Sequence, residues 1–334
     1  MDLDGLQRMS DRYREVRRAV FQLSTEPTPA NPEIHRYNQQ KFRERVVTLC
    51  DRADLSRYNG TGEQDAARLW HMIWTRNRYA GIKAQIATKE IEDIGDAFDD
   101  YRRFSDPSWD IDSCGYRIER AGTAVHDFLN RDGYFKGRQT VGNIPKLKTI
   151  VLLARRLAVF MRDKAPDRPV LDFITGGHNV ADVWAIHRHL LDIGYTADLT
   201  ALHLMMDLGF QVVKPDIVLT RLLLEWGWLH QIDPDLPADL TRVDLDGKGK
   251  YRSCYQYTKP TMYRTAINVA QRVAEATSQK NLRDDLGWVT RNALRELDIF
   301  VVKAGQQPET AFGIQRTLYP GSPVRAVGDQ SCSS

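Results

Sequence analysis

The sequence predicts an all-α protein, and three observations carry that expectation. Apolar residues recur at helical spacing in one segment after another along the 334 residues. Strand signals are few: 168–174 and 298–303 could each be extended, but no regular alternation punctuated by turns supports a sheet. Glycines and prolines, as in "TEPTPANP" at 25–32, at Gly194 and at Pro215, end the periodic stretches. A chain of this length can bury a sizeable core, either as one large domain or as two lobes sharing a cleft.

The elements follow in order. Residues 1–24 read as an amphipathic helix, and the three prolines after it make 25–32 a linker, so 1–32 stands as an N-terminal helix and linker ahead of a core at 33–324. Helices are predicted at 33–51, 63–80, 84–103, 117–130 and 147–163, then at 180–191, 197–208, 217–229, 261–279 and 283–303. The tail, 325–334, is small and polar and is expected to fray. No internal repeat or low-complexity tract interrupts this order.

Composition narrows the function classes. The formal charge is +3, because 47 basic side chains nearly balance 44 acidic ones, which permits a nucleic-acid partner without arguing for one. Cys50, Cys114, Cys254 and Cys332 stand far apart with no CxxC pair, and His187, His189 and His203 make no metal pattern, so neither a metal nor another cofactor is expected. The N-terminus lacks the apolar core of a signal peptide, and no long apolar run occurs. A cytoplasmic protein with reduced thiols, no membrane contact and no implied protein partner is the expectation.

Chemistry concentrates in "NVADVWAIHRHLLDIGYTADLTALHLMMDLGFQVVKPDIV" at 179–218. Asn179 is a candidate N-cap for a helix carrying Val180, Val183, Trp184, Ile186, Leu190 and Leu191 at helical spacing. Gly194 ends that helix and lets the chain reverse into a second one starting near Thr196 or Ala197. Backbone N–H groups in such a turn, at the positive end of the new helix, can hold a phosphate; equally, Gly194 can be a plain C-cap between two core helices. The second helix is apolar over most of its surface and stops at Gly209. Pro215 keeps Lys214 extended, and Asp216 then stands as N-cap of the helix at 217–229.

The order Gly-x-x-Ala, packed helix, apolar-x-Pro-Asp, helix resembles the helix-hairpin-helix DNA glycosylases, with 22 positions from Gly194 to Asp216. The resemblance covers about 179–229, with weaker helical agreement over 63–165. Where that family's hairpin has a first glycine, this chain has Asp192. The resemblance implies two helical lobes with a DNA- and base-binding cleft between them, double-stranded DNA as partner, Asp216 as the catalytic carboxylate, and Gly194, Tyr195, Thr196 and Ala197 as the phosphate-gripping hairpin. Thr196 stands where the bifunctional members carry a lysine nucleophile, which implies a monofunctional enzyme.

Base excision also needs a pocket, a wedge and a grip on the backbone. In "RLWHMIWTRNRYAG" at 68–81, Trp70, Ile73 and Trp74 share one helix face, and Arg76, Asn77 and Arg78 form its tip. Trp74 and Tyr79 could stack on an extruded base, with Lys214 beside the pocket, and Arg76 or Asn77 could enter the vacated space; alternatively, Trp70 and Trp74 are core residues at i, i+4. The segments 131–148, with Lys136 and Arg138, and 247–259 mix basic residues with Gly and Tyr, as phosphate-contacting loops do. Near the C-terminus, Lys303, Gln306 and Gln307 either line a pocket or end a helix.

The expected activity is excision of a damaged or modified base, serving either repair or defence against phage DNA carrying modified cytosine. The alternative is a non-catalytic helix-hairpin-helix protein that only binds DNA, and a third reading is an all-α scaffold without nucleic acid.

Overall fold

The computed structural model describes residues 3–25, 32–79, 98–104, 109–111, 118–120, 123–124, 144–195, 198–232, 260–279, 286, 288 and 290–306. These residues are mostly helical. In chain order the helices are α1 (Leu3–Thr25), α2 (Pro32–Arg52), α3 (Glu63–Tyr79), α4 (Ile144–Asp163), α5 (Asp172–Thr175), α6 (Val183–Asp192), α7 (Asp198–Leu208), α8 (Ile217–Glu225), α9 (Trp228–Ile232), α10 (Pro260–Gln279) and α11 (Ala293–Gln306). A small antiparallel sheet of β1 (Trp109–Ile111), β2 (Ile118–Arg120) and β3 (Thr123–Ala124) pairs Asp110 with Glu119 and Glu119 with Ala124.

The chain divides into two compact units, residues 1–51 with 215–334, and residues 52–214. In the first, α1 packs on α10 and α11, α8 packs on α11, and α9 bridges α8 and α10. α1 presents Met9, Tyr13, Val16 and Val20, all buried and spaced four, three and four apart, which is the helical stripe read from the sequence. Arg17 lies on that stripe too, fully buried. Its Nε is 2.7 Å from Glu296 Oε1 of α11, and its guanidinium lies over the rings of Trp288 and Phe300 at 5.1 and 5.7 Å. Tyr13 donates to Glu296 Oε1 and Thr290 to Oε2, at 3.4 and 2.9 Å. The buried Cys50 thiol is pushed up to about 12 by desolvation, then by the Glu296 charge.

In the second unit, α3 packs on α4 and α7, and α6 packs on α5 and α7. Ala66, Leu69, Trp70, Ile73 and Trp74 of α3 are buried, together with Ile150, Val151, Leu153, Ala154 and Leu157 of α4. Phe98 stacks on Phe104 at 5.4 Å and accepts, through its carbonyl, a hydrogen bond from Trp70 Nε1.

Several boundaries differ from the sequence reading, each for a local reason. The helix predicted over 117–130 is extended at 118–120 and 123–124, where cross-strand hydrogen bonds replace local ones. Residues 298–303, a strand candidate, lie inside α11, while 172–174 begin the short α5 after Val170 and Leu171 donate to the carbonyls of Gly60 and Tyr58 at 2.9 and 3.2 Å. Asn179 does not cap α6: its Oδ1 accepts from Ala181 N at 2.9 Å in an Asx turn, Val180 is exposed, and Asp182 caps instead, accepting from Ala185 N at 3.1 Å. The helix predicted over 217–229 is two helices, interrupted at Gly227, whose φ is +70°. Of the helix predicted over 283–303, Leu286 is helical, Trp288 and 290–292 are not, and α11 starts at Ala293, with Asn292 Oδ1 accepting from Arg295 N at 2.9 Å. Residues 84–97 and 125–143 lie outside the described residues.

Candidate functional site

The turn after α6 is a C-cap made as the Gly194 sequence permits. Gly194 has φ +90°, its N–H donates to Leu191 O at 2.9 Å, and the N–H of Tyr195 reaches back to Leu190 O at 2.9 Å. Those two amides are therefore committed to the carbonyls of α6 rather than open to a phosphate. α4 lies beneath the turn: a Cβ on Gly194 would meet Leu152 Cδ2 at 2.8 Å, and Arg156 donates from NH1 to Asp192 O at 3.2 Å. Arg156 is the basic residue nearest the turn that the sequence reading did not single out, because its nearness to Gly194 comes from the packing of α4. Thr196 and Ala197 lie outside the described residues.

Tyr195 is a core residue. Its ring is 4% exposed and its hydroxyl donates to Ile73 O on α3 at 3.4 Å, with burial raising its pKa well above the phenolic range. α7 opens with Asp198 in its first turn, whose carbonyl lies 3.2 Å from His187 Nε2; desolvation lowers the His187 pKa.

Within the same unit, two residues named from the sequence, Arg76 and His203, meet at a carboxylate that was not. Asp207, 5% exposed on an otherwise apolar α7, sits with Oδ2 2.6 Å from Arg76 Nε and 3.2 Å from His203 Nε2. Lys214 acts electrostatically on His203, and Tyr195 feels both Arg76 and Asp207. His203 has its pKa lowered, first by desolvation, with Asp207 opposing and Lys214 and Arg76 reinforcing the shift. Arg76 is thus an ion-pair partner inside the unit. His203 and Asp207 at i, i+4 on a mostly apolar helix were the available signal.

Asn77 at the α3 tip, and Trp74 just before it, belong to the core in this structure. Trp74 and Asn77 are fully buried, and Trp74 packs on Phe98 at 5.9 Å and donates from Nε1 to Asp99 Oδ1 at 3.1 Å, so its ring has no open face for a base. Tyr79 closes α3, but its side chain lies outside the described residues, as do Lys136 and Arg138.

Asp216 caps α8. With φ −74° and ψ 175° it is extended, its Oδ1 accepts from Val218 N at 3.0 Å and Leu219 N at 3.1 Å, and its own carbonyl accepts from Thr220 N at 2.9 Å. The residue is half-buried at the head of the helix, and Lys214, also half-buried, precedes it by two positions. Pro215 between them is buried, and the chain passes from one unit to the other between Lys214 and Pro215.

Among the described residues no group of three or more His, Cys, Asp or Glu side chains is arranged to hold a metal ion, and no helix is long and apolar enough to cross a membrane. Compared with protein-family models, curated proteins and solved structures, the chain matches none of them.

Proposed function

We propose that the protein is a monofunctional DNA glycosylase that hydrolyses the N-glycosidic bond of a damaged or modified base in double-stranded DNA. The observation that carries this reading is Asp216: a half-buried carboxylate held by two amides at the head of α8, just after the chain leaves the unit 52–214 and returns to the other. Its 22-residue distance from a left-handed glycine that joins two packed helices supports the same reading, as does a predominantly helical fold in two units.

In this reading the base is extruded from the stack, and the bond from its nitrogen to the anomeric carbon breaks while positive charge builds on the sugar. The Asp216 carboxylate stabilises that charge and orients a water, whose oxygen bonds to the anomeric carbon and whose proton passes to the carboxylate; the base leaves with the electron pair of the broken bond and takes up that proton through solvent, which restores the carboxylate. The products are a free base and an abasic site. With the Gly194 and Tyr195 amides committed to the α6 cap, phosphate recognition at the turn falls to Arg156.

A panel of duplexes carrying uracil, alkylated purines, oxidised guanine, or hydroxymethylated and glucosylated cytosine tests the proposal, with released base read by mass spectrometry. Release from one of these substrates that is lost in Asp216→Asn is the expected result. Duplex binding that Asp216→Asn leaves intact, without release from any substrate, would assign the chain to non-catalytic DNA binding instead; unchanged release in that variant removes Asp216 from the chemistry.

A further inference from the structure

A carboxylate that works on a sugar needs a fixed direction as well as a place, and the bonds around Asp216 show what sets it. Its Oδ1 is tied to Val218 N and Leu219 N, and these cap bonds leave the peptide plane between Pro215 and Asp216 undetermined. Pro215 contributes no N–H, and its carbonyl lies one residue before the first acceptor of the helix, so the ordinary helical ladder has no donor for it. Thr220, on the first full turn of α8, supplies one. Its Oγ1 donates to Pro215 O at 3.2 Å, while its backbone N–H donates to Asp216 O at 2.9 Å. One residue thereby holds both carbonyls that flank the Asp216 Cα and fixes the plane from which the Cα–Cβ bond departs. The side chain is 1% exposed, so no water replaces the hydroxyl there, and loss of the hydroxyl leaves Pro215 O without that donor.

We infer that Thr220 is a positioning residue for the Asp216 carboxylate. It does not touch substrate; it acts by holding the turn that aims the acid. This inference rests on the glycosylase reading for its catalytic consequence and on geometry alone for its effect on Asp216.

The experiment has two arms, both on the full chain, with Thr220→Val and Thr220→Ala to remove the hydroxyl and Thr220→Ser to restore it. In the first arm, TROSY spectra follow the amide protons of Val218 and Leu219, with Asp216→Ala defining the change expected when their acceptor is lost from the cap. Both amides are expected to shift toward the Asp216→Ala positions in the Thr220→Val and Thr220→Ala variants and to stay near the wild-type positions in Thr220→Ser. In the second arm, base release from the duplex panel is expected to fall in kcat by about 10- to 100-fold in the Val variant with KM little changed, and to recover in Thr220→Ser.

Val218 and Leu219 amides unmoved in both hydroxyl-free variants overturn the inference, whatever happens to thermal stability. So does a Thr220→Ser variant that behaves as Thr220→Val. If wild-type protein releases no base from any duplex, the glycosylase reading fails, while the spectra still decide whether Thr220 directs the acid.

Discussion

Asp216 has two separable duties at the level of the single residue, because Asn is as good an N-cap as Asp but is not a carboxylate. Asp216→Asn is expected to melt within a degree or two of wild type, whereas Asp216→Ala, which leaves Val218 N and Leu219 N without their acceptor, is expected to lose about 1 kcal/mol. Denaturant titration of the two variants checks this; equal destabilisation would mean that the cap bonds contribute nothing. His203 carries a different kind of prediction. Its folded-state pKa lies below the ordinary imidazole value, so above that value both folded and unfolded chains carry it neutral, and below it only the unfolded chain takes up the proton. Stability is therefore expected to fall as pH drops through about 6.5. Asp207 on α7, Lys214 and Arg76 of α3 are the charges acting on it, and His187 shifts in the same direction. His203→Gln should shrink, without abolishing, the loss of Tm between about pH 8 and about pH 5.5. An unchanged loss would show that His203 is protonated alike in both states. At this scale the sequence revealed Asp216 as a cap, because a carboxylate after Lys-Pro and before an apolar-periodic run is a local signal. It did not reveal Asp207 as the partner of Arg76, because that pairing depends on how α3 crosses α7.

Among the elements, the amphipathic helices and the buried α7 were legible, and the short extended pieces were not. α1, α3, α4 and α10 follow their apolar stripes to within a few residues. β2 and β3 were read as helix because their hydrogen-bond partners lie across the small sheet rather than one turn away. The glycines that end α6 and α7 were both legible as stops, yet their surroundings differ in a way only packing reveals. At Gly194, with φ +90°, a Cβ would meet the far end of the Leu152 side chain, which can rotate away. At Gly209, with φ +108°, it would meet the carbonyl carbon and oxygen of Ala53 at 2.7 and 2.8 Å and Asp54 N at 2.8 Å, and backbone cannot yield so easily. Gly194→Ala is expected to cost about 1 kcal/mol from backbone strain, and Gly209→Ala distinctly more, because the chain at 53–54 must move as well. Urea denaturation of both variants decides it, and a smaller cost at Gly209 would contradict the close approach of α7 to Ala53.

For the whole molecule, the decisive feature is that one unit is continuous and the other is not. Residues 52–214 contain α3, α4, α6 and α7 with their shared core, so this stretch is expected to fold when expressed alone. Residues 215–334 are expected not to. Without α1, the faces of α10 and α11 that Met9, Tyr13, Val16 and Val20 cover become exposed, and Glu296 is left buried without the Arg17 guanidinium. Removing one partner of such a buried pair costs about 3–5 kcal/mol, a large share of what a unit of this size has to spare. Far-UV circular dichroism and thermal melts of the two pieces check both halves of the prediction: a cooperative melt for 52–214, none for 215–334, and recovery when residues 1–51 are supplied in trans. A cooperative melt for 215–334 alone would mean that α1 is an accessory rather than part of that core. The same division bears on the chemistry, because the break between Lys214 and Pro215 leaves Gly194 and Arg156 in the continuous piece and Asp216 outside it. On the glycosylase proposal the isolated 52–214 piece, which lacks Asp216, should release no base from any duplex in the panel, and release by that piece would remove Asp216 from the proposed chemistry.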